Sequence, residues 1–407
     1  MGANLCRYPS HAEGKVVKLP VRQAKLLYFI TEDWFFCSHF LGRAKAALHA
    51  GYEVVVVARE SAHGKIIREQ GLTFIPFQIS RRGLNPFREV MAILRLILIY
   101  RRERPSVVHH VALKPIMYGT IAAFFSGCRK IINAPVGLGF VFSSGSWKAR
   151  FLRPFAHLGL KVLLNPCGSK VIFENQDDVR DFVAAKIVRP QDAFLIRGAG
   201  VDTQEFSVVP EPSGSPVVIL VARMLWDKGI GEYVEAAQIL KNRGRVARML
   251  LVGAPDDQNP ASIPAKTLDD WNASGLVECL GHRSDIPNLL AQSHIVCLPS
   301  YREGLPKSLL EGLAAGRPLV ATDVPGCREA VQDGVNGFLV PAKDALSLAD
   351  ALEKLILSRE LRQRMATASR NLALMEFSSL RIEAETLSVY FQLTDKAMSR
   401  KNHTPLI

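Results

Sequence analysis

The sequence predicts an α/β protein with two doubly wound parallel sheets, one in each half of the chain, and three observations carry that reading. From residue 25 onward, short β-branched runs alternate with longer stretches of helical periodicity, which is the pattern of βαβ units. With 407 residues the chain is too long for a single hydrophobic core. A cluster of Gly, Pro and Ser separates the halves, at Gly198-Ala-Gly-Val-Asp202 and again at Pro210-Glu-Pro-Ser-Gly-Ser-Pro216.

The expected strands of the first half are Lys25–Ile30, Glu53–Ala58, Thr73–Gln78, Val107–Val111, Lys130–Pro135 and Lys170–Asn175. Those of the second are Val217–Arg223, Arg248–Gly253, Val277–Gly281, His294–Pro299, Pro318–Asp323 and Gly337–Pro341. Domains follow at 21–200 and 201–380, with the Pro/Gly/Ser stretch as interdomain linker. An amphipathic segment at 381–396 comes after the last strand and is expected to cross back to the first domain.

The seven cysteines are scattered, with no C-x-x-C pair and no metal-ligand spacing, so they read as reduced core residues of a cytosolic protein. The first twenty residues contain no apolar stretch of the length a signal peptide needs, and the longest apolar run, Val90–Tyr100, is interrupted by Arg95 and far short of a span. The net charge of +13 is uneven: residues 1–200 hold 29 Lys and Arg against 13 Asp and Glu, whereas residues 201–407 hold 22 against 25. The positive excess therefore belongs to the first half, and its possible partners are nucleic acid, an anionic membrane leaflet or a phosphorylated substrate.

The most informative stretch runs from Leu298 to Pro318. A buried strand ends at Pro299, a short loop carries Glu303-Gly304-Leu305, and Pro306 suits the first turn of a helix containing Glu311. Unpaired N–H groups at such a helix start, approached closely over Gly304, form an anion site outside the carboxyl ends of the strands. Glu303 and Glu311 can face one crevice about 8–10 Å apart, a separation suited to two hydroxyl-bearing ends of an extended ligand. Arg223 and Lys228 project from the loop after the first strand of the second half, where two cations could neutralise a diphosphate leaving group. No D-x-D occurs, so these cations and the helix start would do the work of a bridging metal, and none is expected.

The E-x7-E pair Glu303 and Glu311, Arg223 with Lys228, the Gly-rich hinge at 198–202 and Gly281-His-Arg-Ser-Asp285 together resemble the retaining glycosyltransferases of family 4. That resemblance implies the GT-B fold: two facing Rossmann-like domains, the first binding acceptor and the second binding a nucleotide-sugar, with a C-terminal helix returning to the first. It implies that Glu311 holds the donor ribose and Glu303 the donor sugar. The amides of Gly304 and Leu305 would meet sugar and phosphate, Arg223 and Lys228 would grip the diphosphate, and His282 and Arg283 would contact the base edge. A UDP-sugar is the expected donor. Within the family, Ser80–Phe87, Arg223–Gly229 and Leu298–Gly304 resemble bacterial transferases that add a sugar to undecaprenyl-diphosphate-linked glycans.

For the first domain, His109 and His110 in the fourth strand are catalytic candidates, and His39 and Lys114 are candidates for substrate binding. The family pattern near this strand is H-x-H, whereas here the two histidines are adjacent. Residues 86–104 combine an apolar helical run with Arg88, Arg95, Arg101, Arg102 and Arg104, and are expected to lie on an anionic membrane, placing the protein at the cytosolic face of a bacterial inner membrane. Other readings are the same chemistry on a soluble acceptor, a UDP-sugar 2-epimerase, for which no acid/base set is identifiable, and a nucleic-acid binder, for which no motif is present.

Overall fold

The computed structural model describes residues 24–79, 85–136, 159–256 and 259–401. Strands β1 (Lys25–Glu32), β2 (Glu53–Arg59), β3 (Thr73–Pro76), β4 (Val107–Val111), β5 (Ile131–Ala134), β6 (Lys170–Phe173) and β7 (Ala193–Leu195) form one parallel sheet in the order β3-β2-β1-β4-β5-β6-β7. Strands β8 (Val217–Val221), β9 (Arg248–Val252), β10 (Glu278–Cys279), β11 (Ile295–Leu298), β12 (Leu319–Thr322) and β13 (Gly337–Val340) form a second, ordered β10-β9-β8-β11-β12-β13. Apolar side chains such as Val54–Val57 and Val217–Leu220 are buried on both faces, as strands covered by helices on either side require. Each order reverses beside the first strand of its sheet, between β1 and β4 and between β8 and β11. A crevice opens outside the carboxyl ends at such a switch point.

The strand expectations missed β7, three half-buried residues that lengthen the first sheet to seven strands. The linker is also corrected. Pro210–Pro216 lies on the second domain, where Glu211 pairs with Arg362 at 2.5 Å and the Pro212 carbonyl lies 3.1 Å from Nε2 of His294. The chain crosses earlier, at Gly198–Val201, beside the returning segment: Val201 N–H donates to Phe377 O at 2.8 Å and Ser379 N–H to Val201 O at 3.0 Å. Gly200 needs its φ of +71°, and a Cβ there would stand 2.9 Å from Ser379 Cα, so the two crossings pack backbone to backbone.

The helix Ser379–Lys401 packs on the helix Leu41–His49 of the first domain. Its Tyr390 hydroxyl lies 2.6 Å from the Tyr28 hydroxyl and 2.9 Å from Nδ1 of His109, all three buried. The expected return is thus fixed by a polar contact inside an apolar layer. The cysteines are less uniform than expected: among the described residues only Cys297 and Cys327 are buried, Cys167 is exposed, and Cys37, Cys128 and Cys279 are intermediate. Cys6 lies outside the described residues, as does Ser80–Leu84 of the motif Ser80–Phe87. No helix among the described residues is long and apolar enough to cross a membrane.

Candidate active site

The loops after β8 and β11 meet because those strands are neighbours. Gly229, at φ +69°, closes the turn Trp226–Lys228, and a Cβ on it would lie 2.0 Å from Pro299 O, so only glycine lets the two loops touch. Tyr301 N–H donates to Asp227 O at 2.9 Å across the same seam. Lys228 Nζ then reaches Glu303 Oε1 at 2.5 Å, and Ser300 Oγ donates to the same oxygen at 2.6 Å. Both bonds fall on Oε1. Among the described residues no hydrogen bond reaches Oε2.

Glu311 lies in the helix Lys307–Ala314, is buried, and is only loosely paired with Lys307 at 3.5 Å. Burial raises its carboxyl to about 6, against the opposing pull of Lys307. Pro306 stands one residue earlier than expected, with extended backbone capping the helix rather than in its first turn. Arg223, in the loop after β8, is exposed and pairs with the half-buried Asp256 at 2.7 Å, a partner that a diphosphate could replace. Gly253 brings the loop after β9 onto this loop, because a Cβ there would overlap Ala222 O. His282 and Arg283 are exposed on the loop after β10, Arg283 forked onto Asp285 at 2.7 and 2.6 Å. The structure therefore joins Lys228 to the loop of Glu303, Gly304 and Leu305 at the carboxyl ends of β8 and β11, with Arg223 in the first of these loops and Glu311 in the helix after the second. His282 and Arg283 follow β10, which β9 separates from β8.

The first domain departs from expectation at its histidines. His109 and His110 are fully buried within β4, on opposite faces of the sheet as adjacent strand residues must be. His109 stacks on Tyr28 and bonds Tyr390, while His110 contacts Asn133 Oδ1 at 2.8 Å and the Tyr100 hydroxyl at 3.1 Å. Burial holds His110 down to about 4 and His109 well below its ordinary range, so both rings are neutral packing elements. They do not line the crevice, and the catalytic role expected of them is withdrawn. His39 is different. It ends the helix Asp33–His39 after β1, stacks on Phe35, and is held to about 4 by burial and by the charge of Lys307 in the other domain. Lys114 starts the helix Leu113–Ser126 after β4 and pairs with Glu89 at 3.2 Å.

Sequence reasoning missed the face that β6 presents. Glu174 and Asn175 follow that strand and meet the loop at Gly304: Asn175 Nδ2 donates to Gly304 O at 2.9 Å, and a Cβ on Gly304 would lie 2.5 Å from Glu174 Oε2. Burial, reinforced by Asp178 and Glu303 and opposed by Arg43, raises Glu174 to about 7. Around them Gln176 N–H bonds Glu329 at 2.7 Å, Arg328 pairs with Asp177 at 2.9 Å, and Arg197 pairs with Glu329 at 2.8 Å. These contacts span more than a hundred residues of chain, which no local pattern could register. No group of His, Cys, Asp and Glu among the described residues is arranged to hold a metal.

Two doubly wound parallel-sheet domains, each with a crevice at its switch point, define the GT-B class of sugar-transferring enzymes. Group 1 glycosyl transferases match residues 201–372, and the glycosyl transferase 4-like family matches residues 25–166. The chain belongs to these family 4-like glycosyltransferases. It is 31% identical to the putative glycosyltransferase EpsD of Bacillus subtilis over 93% of this chain and 99% of that one. It is 29% identical to the N,N'-diacetylbacillosaminyl-diphospho-undecaprenol alpha-1,3-N-acetylgalactosaminyltransferase of Campylobacter jejuni, over 77% of this chain and 84% of that one. Among solved structures, Anabaena HepE in complex with UDP-glucose superposes with a TM-score of 0.71 at 19% identity, covering 90% and 99% of the two chains.

The glycine contacts set apart two substitutions at the donor loop. A Cβ on Gly326, at φ +81°, would meet Gly304 O at 2.3 Å and Glu303 O at 2.8 Å, both backbone, whereas on Gly304 it meets only the movable end of Glu174. Gly326→Ala should destabilise the protein by about 1–3 kcal/mol and displace the loop, while Gly304→Ala should cost less than about 1 kcal/mol. Thermal melting of the two variants beside wild type checks this order. Equal melting temperatures would contradict the backbone contact.

Proposed function

We propose that this enzyme transfers a hexose or HexNAc from a UDP-sugar, with retention, to a polyprenyl-diphosphate-linked sugar at the cytosolic face of a bacterial membrane. The observation that carries the donor half is the convergence of Glu303, Glu311, Lys228 and the Gly304–Leu305 amides at one switch point. In this reading Glu311 accepts from the ribose hydroxyls and Oε2 of Glu303 from a hydroxyl of the transferred sugar. Lys228, and Arg223 once released from Asp256, meet the diphosphate as charge builds on the leaving group. His282 and Arg283 stand at the base edge. Cations and orphan N–H groups then supply the stabilisation without a metal. Retention follows from the family resemblance.

The acceptor half rests on the helix Pro86–Glu103. Asn85 caps it, accepting from Phe87 N–H at 3.1 Å, and Leu96, Ile97 and Tyr100 bury one face against the sheet. Phe87, Val90, Met91, Leu94 and Leu98 are exposed on the opposite face at helical spacing, beside exposed Phe124 and Phe125. Arg88 and Arg95 border this stripe and are exposed. The expected apolar helix is therefore two-faced, and its outer stripe suits the headgroup region of an anionic leaflet. In this reading His39, at the end of the helix after β1, and Lys114, in the first turn of the helix after β4, receive the acceptor. The Campylobacter relative acts, by its name, on an undecaprenol-linked diphosphate sugar, which supports a lipid-linked acceptor over a soluble one.

Radiolabelled UDP-sugars incubated with the protein, EDTA and a bacterial membrane extract should yield label in the lipid phase. Label confined to water-soluble products would favour the soluble-acceptor reading, and an absolute need for Mn²⁺ or Mg²⁺ would overturn the metal-free one. The raised carboxyl of Glu311 adds a pH dependence. It is charged above about pH 6 and loses acceptor capacity below, so UDP affinity should fall about fourfold between pH 7.5 and 5.5 from this group alone. Glu311→Gln should weaken UDP binding by about 1.5–3 kcal/mol at pH 7.5 and remove that part of the pH dependence, as read by calorimetry. An unaltered profile would sink the ribose role.

For the membrane, vesicles containing anionic lipid should sediment the protein at low salt and release it as salt screens the arginines over about 8 Å. Arg88→Ser/Arg95→Ser should lose the salt-sensitive part, and Leu94→Ser/Leu98→Ser should lose binding to either lipid. Equal retention of all three proteins on neutral and anionic vesicles would remove the docking surface.

A further inference from the structure

The Gly304–Leu305 peptide is held from outside its own domain. Asn175 is fully buried just beyond β6 of the first domain, and every polar atom of its side chain is committed. Oδ1 accepts from Asp178 N–H at 2.8 Å, capping the helix Gln176–Ala184, while Nδ2 donates to Asp178 Oδ2 at 2.9 Å and to Gly304 O at 2.9 Å. A flipped amide would set oxygen against the Gly304 carbonyl and lose all three bonds, so the orientation is fixed. Gly326 packs against the same carbonyl, and a Cβ on Gly304 would stand 2.5 Å from Glu174 Oε2. Neither the N–H of Gly304 nor that of Leu305 donates to a backbone carbonyl among the described residues.

The peptide unit is planar, and in its trans form the carbonyl of Gly304 and the N–H of Leu305 point in opposite directions. A group that fixes one fixes the other. Asn175 draws the carbonyl toward the first domain and thereby turns the Leu305 N–H away from it, toward the second domain's own crevice. We propose that Asn175 is a positioning residue that aims the Leu305 N–H at the diphosphate of the donor, so that the donor site is complete only when the first domain is seated against the second. The inference rests on the donor reading given above. It gives the first domain a part in holding donor phosphate through the backbone of the second. The surrounding ties, Gln176 to Glu329 and Arg328 to Asp177, hold the same two surfaces together and keep the Asn175 bond in register.

The test uses UDP and uridine as probes on the intact protein, because uridine lacks the diphosphate that the Leu305 N–H would meet. Asn175→Ser and Asn175→Thr both retain an N-cap oxygen for Asp178 and are too short to reach Gly304. Each should weaken UDP binding about tenfold and leave uridine binding unchanged, while at saturating UDP hydrogen exchange speeds up in residues 303–306 and stays as in wild type across 178–184. A variant that weakens both ligands equally has lost general structure, and that result overturns the positioning role. So does unchanged UDP affinity with unchanged exchange at 303–306. If one substitution unfolds the helix, as its exchange across 178–184 would report, the other decides. Wild-type protein that binds neither probe would instead defeat the donor reading itself.

Discussion

The crevice depends on one steric allowance, the approach of Gly229 to Pro299. Because β8 and β11 are neighbours, their loops leave the sheet side by side, and any side chain at residue 229 would push them apart by about its own Cβ. With the allowance, Asp227 O receives the Tyr301 N–H and Lys228 comes within bonding distance of Glu303. A cation and a carboxylate are thereby fixed together at the mouth of a helix whose first N–H groups have no partner within the helix. The pair is largely shielded, so its geometry is worth more as a fixed electrostatic arrangement than as a contribution to stability.

The same economy of approach governs how the domains are joined. Two chain segments cross between them, Gly198–Val201 and Phe377–Ser379, and they pair with each other rather than running separately. Arg43, buried in the first domain, donates to Gly198 O and lies over the Phe40 ring, anchoring one crossing. Tyr390 anchors the other through Tyr28 and His109. Two crossings joined by a backbone bridge, each pinned to the first domain, restrict how the domains can be set against each other. Such a restriction favours a single seated arrangement, in which Asn175 meets Gly304.

Much of this was legible in the sequence, and the limits have physical causes. Buried parallel strands such as Glu53–Arg59 announce themselves as unbroken β-branched runs, and β7 does not, because three half-buried residues carry no such signal. Glu303 and Glu311 could be paired on paper since they share a loop and helix. Asn175 and Glu174 could not, since their partners are contacts of the folded chain. The linker was misplaced because Pro, Gly and Ser mark irregular backbone without saying which domain it lies against, and Glu211 and Pro212 lie on the second. The histidine error was avoidable. Two adjacent residues in one strand face opposite layers, so His109 and His110 could never both have lined a crevice, and a strand buried on both faces leaves neither in reach.

The position of the exposed stripe bears on how a lipid-linked acceptor would enter. Glu89, in the first turn of the helix Pro86–Glu103, pairs with Lys114 at the start of the helix after β4 and accepts a hydrogen bond from the Tyr118 hydroxyl. The apolar surface and the carboxyl end of β4 are therefore joined by one ion pair, with Phe87 and Val90 within a turn of it. A lipid whose tail stays in the bilayer presents its diphosphate at headgroup depth, and a protein lying on that surface need not lift it out. The sugar beyond the diphosphate then has only to reach inward past Lys114 toward the switch point of the first sheet. On the proposed membrane reading, the positive excess of the first half, the two-faced helix and the approach to the first sheet's switch point would be aspects of one arrangement, in which the membrane would hold the lipid and the domain would supply the approach.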